Sequence, residues 1–126
     1  MSTRQQKWAQ DTYQTVAGYQ GSASFEKKYR SYCRSLPSLL QQSGLIQGMI
    51  FMQTRKGAQH QGKEVGEQII IDLAKIYSGQ SPEQLIQDIQ KAPLRKYMRM
   101  SSELIALSVW FRRYTSVLLS PDEEEA

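Results

Sequence analysis

One stretch, residues 36–56, constrains the fold of this chain more than any other, and it reads LPSLLQQSGLIQGMIFMQTRK. Its apolar residues recur mostly at intervals of three and four, the period of an amphipathic α-helix. Pro37 suits a first helical turn after Ser35, and Gly44 suits a helix end with a positive φ. We therefore expect two helices, Pro37 to Gly44 and then on to about Gly57, with a core made by Leu36, Leu39, Leu40, Leu45, Ile46, Met49, Ile50 and Met52.

The rest of the chain also shows helical periodicity and no strand pattern. Ser81 and Pro82 form a typical helix start, and Ala92-Pro93 a typical end. The expected helices are 4–19, 24–35, the two above, 63–77, one from Pro82, and a central last helix from Lys96 or Ser101 to Leu119. Asp72 is expected in solvent. The prediction is all-α, a single compact bundle of six to seven helices over residues 1–120, with an acidic disordered tail at 121–126.

The charge of the chain is distributed unevenly. The chain contains sixteen Lys and Arg and twelve Asp and Glu, which gives a formal charge of +4. Four of the acidic residues lie among the last five, so residues 1–121 carry 16 basic against 8 acidic residues and a net charge of +8. A basic body favours a polyanionic partner, although charge that only maintains solubility explains the composition as well.

The cations fall into groups at helical spacing, which suits contact with successive phosphates. Arg112 and Arg113 have an alternative role as ion-pair partners of Glu103 or Asp72. Tyr29, Tyr32 and Tyr114 lie on apolar stripes and are expected to pack in the core. The candidate RNA-binding residues are Lys27, Arg30, Arg34, Arg55, Lys56, Arg95, Lys96, Arg99, Arg112 and Arg113.

Catalytic chemistry is hard to assemble from these residues. The single Cys33 excludes an intramolecular disulfide and suits a reducing cytoplasm. The sequence offers no glycine-rich phosphate loop and no metal or cofactor motif, so we expect neither metal nor cofactor and no enzyme activity. The longest apolar run, 49–52, is far too short for a membrane span, and the N-terminus has no secretory signal.

One pattern supports an alternative. Arg55 and His60, with four residues between them, match the spacing of the catalytic Arg and His of HEPN-type ribonucleases, which are small all-α proteins. Gly57 and Gly62 weaken helix continuity there by about 1 kcal/mol each. We therefore interpret Arg55 as a surface cation and His60 as a loop residue. A HEPN-like all-α ribonuclease and a protein-only helical adaptor remain the alternatives.

Several motifs, in order, resemble the small subunit of the Cmr (type III-B) CRISPR effector complex. They are Tyr-Arg-Ser-Tyr at 29–32, Leu-Pro-Ser-Leu-Leu at 36–40, Ser-Gly-Leu at 43–45, Met-Ile-Phe-Met at 49–52, Tyr97, Ser-Glu-Leu at 102–104 and Trp-Phe-Arg-Arg-Tyr at 110–114. The resemblance covers essentially the whole chain.

This resemblance implies a non-catalytic all-α subunit with a role in antiviral defence. In that family a few copies self-associate in a short filament along the backbone subunits and line the channel that holds guide RNA paired to target RNA. The expected protein partners are the backbone and large subunits of the complex. The guide then carries sequence specificity, and the small subunit contacts the RNA backbone. The family's basic positions fall on Arg30, Arg34, Lys56, Arg112 and Arg113.

Overall fold

Six α-helices and one very short hairpin make up the part of the chain that the computed structural model describes, residues 3–122. The prediction of an all-α domain with six to seven helices is confirmed. In chain order the elements are α1 Arg4–Ala17, α2 Ser24–Ser43, α3 Leu45–Gln53, β1 Gln59–His60, β2 Lys63–Glu64, α4 Val65–Ser78, α5 Pro82–Lys91 and α6 Leu94–Leu118.

The break between α2 and α3 lies where the sequence places it. Gly44 has a φ of 83° and separates the two helices, so α3 begins at the next residue. A Cβ added at Gly48 would lie 3.1 Å from the Cα of Leu40, so the absence of a side chain here allows α2 to approach α3 closely. Residues 36–56 therefore fold back on themselves as a tight helical pair.

The predicted helix start at Pro37 is wrong, because α2 runs through it without interruption. A proline inside a helix removes one backbone hydrogen bond and costs about 3 kcal/mol. Tyr29, Cys33, Leu36 and Leu40 lie on one face of α2 and are all buried. Burial of large apolar side chains stabilises by roughly 1.5–3 kcal/mol each, so the shared buried face outweighs the local penalty.

The polar segment after α3 forms a structure that the sequence analysis missed. α3 ends at Gln53 instead of Gly57, and β1 pairs antiparallel with β2, so α4 begins at Val65 instead of Lys63. Gln61 and Gly62 both have positive φ, 52° and 80°, as a two-residue hairpin turn of the I′ class requires. Strands of two residues are too short to show alternating polar and apolar residues, so no sign of this hairpin is visible in the sequence.

Ala92 and Pro93 join α5 to α6, and Pro93 is the N-cap residue of α6. The prediction for α5 is confirmed, since Ser81 accepts a hydrogen bond from the Gln84 N–H at 3.2 Å and Pro82 is the first helical residue. α6 starts earlier than Lys96 or Ser101, because the Pro93 carbonyl already accepts the Tyr97 N–H at 2.8 Å. Arg95, Lys96 and Arg99 are thus helical.

The central helix of the fold is α4, not α6. Eight of its fourteen residues are buried, and it packs against each of the other five helices. α6 packs against α1, α2 and α4, and its Val117 remains 75% exposed. Some of the apolar residues of α6 therefore face solvent, and α6 is not enclosed by other helices on all sides.

A buried carboxylate on α4 contradicts the prediction that Asp72 lies in solvent. Asp72 Oδ2 accepts hydrogen bonds from Tyr19 Oη at 2.6 Å and Tyr29 Oη at 2.8 Å, and Oδ1 accepts from Gln68 Nε2 at 2.9 Å. Burial raises the pKa of Asp72, while these hydrogen bonds act in the opposite direction. Burial, and then the charge of Asp72, raise the pKa of Tyr19 and Tyr29 well above the usual value.

After α6 ends, the chain runs over the surface of α2. The Glu26 carboxylate accepts the Ser120 N–H at 3.2 Å, and Asp122 pairs with Lys28 at 3.0 Å. Of the predicted acidic tail, Pro121 and Asp122 are therefore within the structure, and residues 123–126 lie outside the described residues. The disorder of that tail stays a prediction.

Replacing Asp72 with Asn should change how stability depends on pH. Because folding raises the pKa of Asp72, its contribution to the free energy of unfolding is largest at low pH and declines as pH rises through the folded-state value. The wild-type free energy of unfolding minus that of Asp72→Asn should therefore be larger at about pH 4.5 than at about pH 8. Urea unfolding followed by circular dichroism measures both, and a difference independent of pH would contradict this account.

Replacing Gly66 with Ala should destabilise the fold strongly. A Cβ at Gly66 would stand 2.0 Å from the Met52 carbonyl oxygen and 2.7 Å from that of Arg55, so the end of α3 would have to move. We expect a loss of about 3 kcal/mol in the free energy of unfolding. Gly18→Ala is the matched control, because Gly18 has a helical φ of −65° and should change stability by less than about 1 kcal/mol. Equal effects of the two variants would rule out the steric explanation.

Candidate nucleic-acid interface

Four arginines from two helices converge on one groove. Arg30 and Arg34 are four residues apart on α2 and share a face, and Arg112 and Arg113 lie near the end of α6, which packs along α2. Together with Ser116 they line a groove of about 560 Å³, named the arginine groove below. These helices are far apart in sequence, so only the tertiary fold brings the two pairs together.

Two of these arginines have side-chain contacts that orient them. Arg30 Nη1 donates to the Leu119 carbonyl oxygen at 3.0 Å, which fixes Arg30 against the end of α6. The Arg113 guanidinium lies 5.8 Å from the Trp110 ring centroid, within cation–π range. Ser116 Oγ donates to the Arg112 carbonyl oxygen at 2.9 Å, and Arg34 is exposed. The groove thus presents Arg30 held by a backbone carbonyl, Arg113 beside the Trp110 ring and an exposed Arg34.

The electrostatics of the arginine groove favour an anion. No carboxylate lines it among residues 3–122. Glu103, one of the intramolecular partners considered for Arg112 and Arg113, pairs with Arg4 and accepts the Tyr77 hydroxyl hydrogen bond at 2.8 Å. The other, Asp72, is buried among tyrosines. Like charges gathered in one open concavity repel each other, and a bound polyanion relieves that repulsion.

A second group of predicted cations lies on another side of α2. The Arg55 guanidinium is 5.7 Å from the Tyr32 ring centroid, and Tyr32 Oη donates to the Lys56 carbonyl oxygen at 2.6 Å. Tyr32 is two residues from both Arg30 and Arg34, so it points about 160° away from them around the helix. Arg55 and Lys56 are exposed there, outside the arginine groove.

Of the remaining predicted cations, one lies on α2 beside the arginine groove and the others lie near the start of α6. Lys27 lies one turn before Arg30 on α2 and extends that row of charges. Lys96 and Arg99 line a separate depression of about 340 Å³ that also contains Asp88 and Glu103. Arg99 is thirteen positions before Arg112 on α6, about 20 Å along the axis. Arg95 is exposed on the same part of α6.

The structure does not support the geometry of the HEPN alternative. Arg55 follows the end of α3, and His60 lies in β1, so neither residue is helical. The half-buried His60 ring packs 5.4 Å from the Tyr19 ring and 5.1 Å from the Phe25 ring, centroid to centroid. His60 therefore has a packing role between the hairpin and the aromatic residues beneath it.

The predicted packing role of the three tyrosines is supported. Tyr29 is fully buried, whereas Tyr32 and Tyr114 are half-buried and pack against the core. Within residues 3–122 no three His, Cys, Asp or Glu side chains are grouped to hold a metal ion. Along the same residues no helix is both long and apolar enough to cross a membrane.

Two surface features differ from what the sequence predicts. Ser116 lines the arginine groove, and its spacing of four from Arg112 on a helix is the signal that finds it. Ile50, expected in the core, is 48% exposed, and its neighbour Phe51 is 56% exposed. α3 has nine residues and is apolar nearly all round, so its periodicity could not distinguish the outer side.

Known proteins with similar sequences and structures are consistent with this architecture. The family model described as "CRISPR-associated protein (Cas_Cmr5)" matches residues 4–118. The chain is similar to the "CRISPR system Cmr subunit Cmr5" of Thermus thermophilus, with 32% identity over 120 residues that cover 94% of this chain and 98% of that protein.

A solved structure agrees with this result. The fold is similar to the crystal structure of a CRISPR-associated Cmr5 family protein from Thermus thermophilus, with a TM-score of 0.83 and 31% identity. The match covers 95% of this chain and 100% of that one. Because the family model spans nearly all of the helical fold and the relative exceeds 30% identity over almost its whole length, the chain belongs to the Cmr5 family of CRISPR-associated proteins.

Proposed function

We propose that this protein is a non-catalytic small subunit of a type III-B CRISPR (Cmr) effector complex and that its arginine groove lines the channel for guide and target RNA. Membership of the Cmr5 family and the printed name of the relative, a Cmr subunit, support the place in the complex. The observation that carries the RNA role is the convergence of Arg30, Arg34, Arg112 and Arg113 in one groove. A cytoplasmic location stays a prediction from the single cysteine.

The chemistry of this groove suits a phosphate backbone. A guanidinium donates two parallel hydrogen bonds to phosphate oxygens, and such contacts carry no sequence information by themselves. Specificity then comes from base pairing between guide and target, while the protein recognises charge and shape. The cations at Lys27 and at Arg55–Lys56 extend this contact to the neighbouring sides of α2.

Other surfaces remain for protein partners. We assign contacts with the backbone and large subunits, and self-association in a short filament, to faces outside the arginine groove. The exposed Ile50 and Phe51 have the apolar and aromatic character that is enriched at the centre of protein interfaces. The depression at Lys96 and Arg99 contains both charge signs, which suits a protein surface better than a uniform polyanion.

Reversing the charge of two groove arginines should weaken RNA binding. We choose Arg34→Glu with Arg113→Glu, because Arg30 also supports the fold through Leu119. For single-stranded RNA, losing two phosphate contacts should reduce the slope of log affinity against log salt by about 1.4, with affinity at least about tenfold weaker at low salt. Fluorescence anisotropy across a salt series measures both quantities.

The matched control carries the same change in charge elsewhere. Lys7→Glu with Lys91→Glu alters two exposed lysines outside every cationic group described above. The control should keep most of the affinity and the original slope. If groove and control variants weaken binding equally, the groove is not the RNA site. An affinity for purified Cmr subunits that is flat across ionic strength, without RNA binding, would instead favour the protein-only adaptor.

The non-catalytic assignment predicts that His60 is dispensable for any effect on RNA. Purified protein incubated with labelled RNA should leave it intact, and His60→Ala should be indistinguishable in a denaturing gel. Because His60 packs against Tyr19 and Phe25, His60→Phe provides a second variant that retains an aromatic ring. Cleavage by the wild type that disappears in both folded variants would establish the ribonuclease alternative.

A further inference from the structure

The segment that follows α6 crosses α2 directly beside the arginine groove. Arg30 donates to the Leu119 carbonyl oxygen at 3.0 Å, Glu26 accepts the Ser120 N–H at 3.2 Å, and Asp122 then pairs with Lys28 at 3.0 Å. Glu26 and Arg30 are four residues apart and share a side of α2. The segment therefore starts at the groove and is held to α2 at each step.

Lys28 lies on the side of α2 where the segment after α6 reaches Asp122. It lies four residues before Tyr32, and its Cε would stand 3.5 Å from a Cβ at Gly57, so its side chain runs along the segment that carries Arg55 and Lys56. The Asp122–Lys28 pair thus lies between the arginine groove and the second cationic side of α2. The side chains of Lys28 and Asp122 are 26% and 13% exposed, so the pair is partly shielded from solvent.

Three more carboxylates follow in the sequence, at Glu123, Glu124 and Glu125. An extended chain spans about 3.4 Å per residue, so chain length alone keeps these residues within about 10 Å of Asp122 along the backbone. Five of the seven cations proposed to contact RNA belong to α2 or to the Arg55–Lys56 segment beside it. With Asp122, the three carboxylates make a run of four negative charges in the sequence, attached to the chain where it contacts α2.

We propose that the acidic run 122–125 is a built-in competitor of RNA for the cationic surface of α2, and that Lys28 is a further RNA-contacting residue exposed when Asp122 is displaced. This proposal rests on the proposed RNA role of the surface. In the free protein Asp122 neutralises Lys28, and the three following carboxylates lower the local positive potential. A phosphate backbone of higher charge density replaces Asp122 on Lys28, so RNA binding includes the release of this segment.

The competitor role predicts that neutralising the run tightens RNA binding. The variant is Asp122→Asn, Glu123→Gln, Glu124→Gln and Glu125→Gln, and the probe is a fluorescent single-stranded oligouridine in low salt. We expect affinity to rise about 3- to 10-fold and the gain to shrink as salt screens the charges. Circular dichroism checks that helix content is retained.

The matched control removes four carboxylates elsewhere. Asp11→Asn, Glu67→Gln, Glu83→Gln and Asp88→Asn change the net charge equally but lie on α1, α4 and α5. A gain in affinity as large in this variant would mean that net charge alone acts, which would overturn the proposal. If RNA binds and the acidic-run variant gains nothing, the proposal also fails. If neither the wild type nor any variant shows salt-dependent RNA binding, the proposed function itself is wrong.

A double-mutant cycle tests the specific pair. Asp122→Asn should improve RNA affinity in the wild-type background and have little effect in Lys28→Met, which keeps the aliphatic part of the side chain beside Gly57. Lys28→Met alone should weaken binding less than Lys28→Met does in the Asp122→Asn background. Additive effects of the two substitutions would overturn the assignment of Lys28 as the group that Asp122 masks.

Discussion

One buried carboxylate sets the orientation of the helix that carries half of the arginine groove. Asp72 on α4 accepts hydrogen bonds from Tyr29 in α2 and from Tyr19 just after α1, so three segments meet at a single charge. An unpaired buried carboxylate is costly, and these donors are what make its burial tolerable. Because Tyr29 immediately precedes Arg30, the hydrogen bond that fixes the rotation of α2 in the core also decides where its arginines point.

Prediction from the sequence was most successful where local chemistry decides the structure. Gly44 separates α2 from α3 by its positive φ, and Ser81 caps α5 by accepting an unpaired helix N–H. Both features depend on only a few neighbouring residues, so they can be predicted from the sequence. It failed where distant packing outweighs local preference. Pro37 continues a helix because its neighbours share a buried face, and Asp72 is buried because tyrosines from two other segments reach it.

The candidate site shows the same division. The sequence shows that Arg30 and Arg34 share a helix face, and that Arg112 and Arg113 interrupt an apolar helix. Only the packing of α2 against α6 shows that these two pairs line one groove while Arg55 and Lys56 lie on another side. The motifs that carry the family resemblance lie in α2, α3 and α6, so two of the three build this groove.

The distance in sequence between the two halves of the groove links ligand binding to folding. Arg34 and Arg112 belong to the second and the last helix, so the site exists only while those helices are docked. Any polyanion that binds there stabilises the docked state by mass action, about 2.7 kcal/mol when its free concentration is one hundred times its dissociation constant. With a polyanion bound in the arginine groove, the protein would therefore resist local opening of α6 better than it does without that ligand.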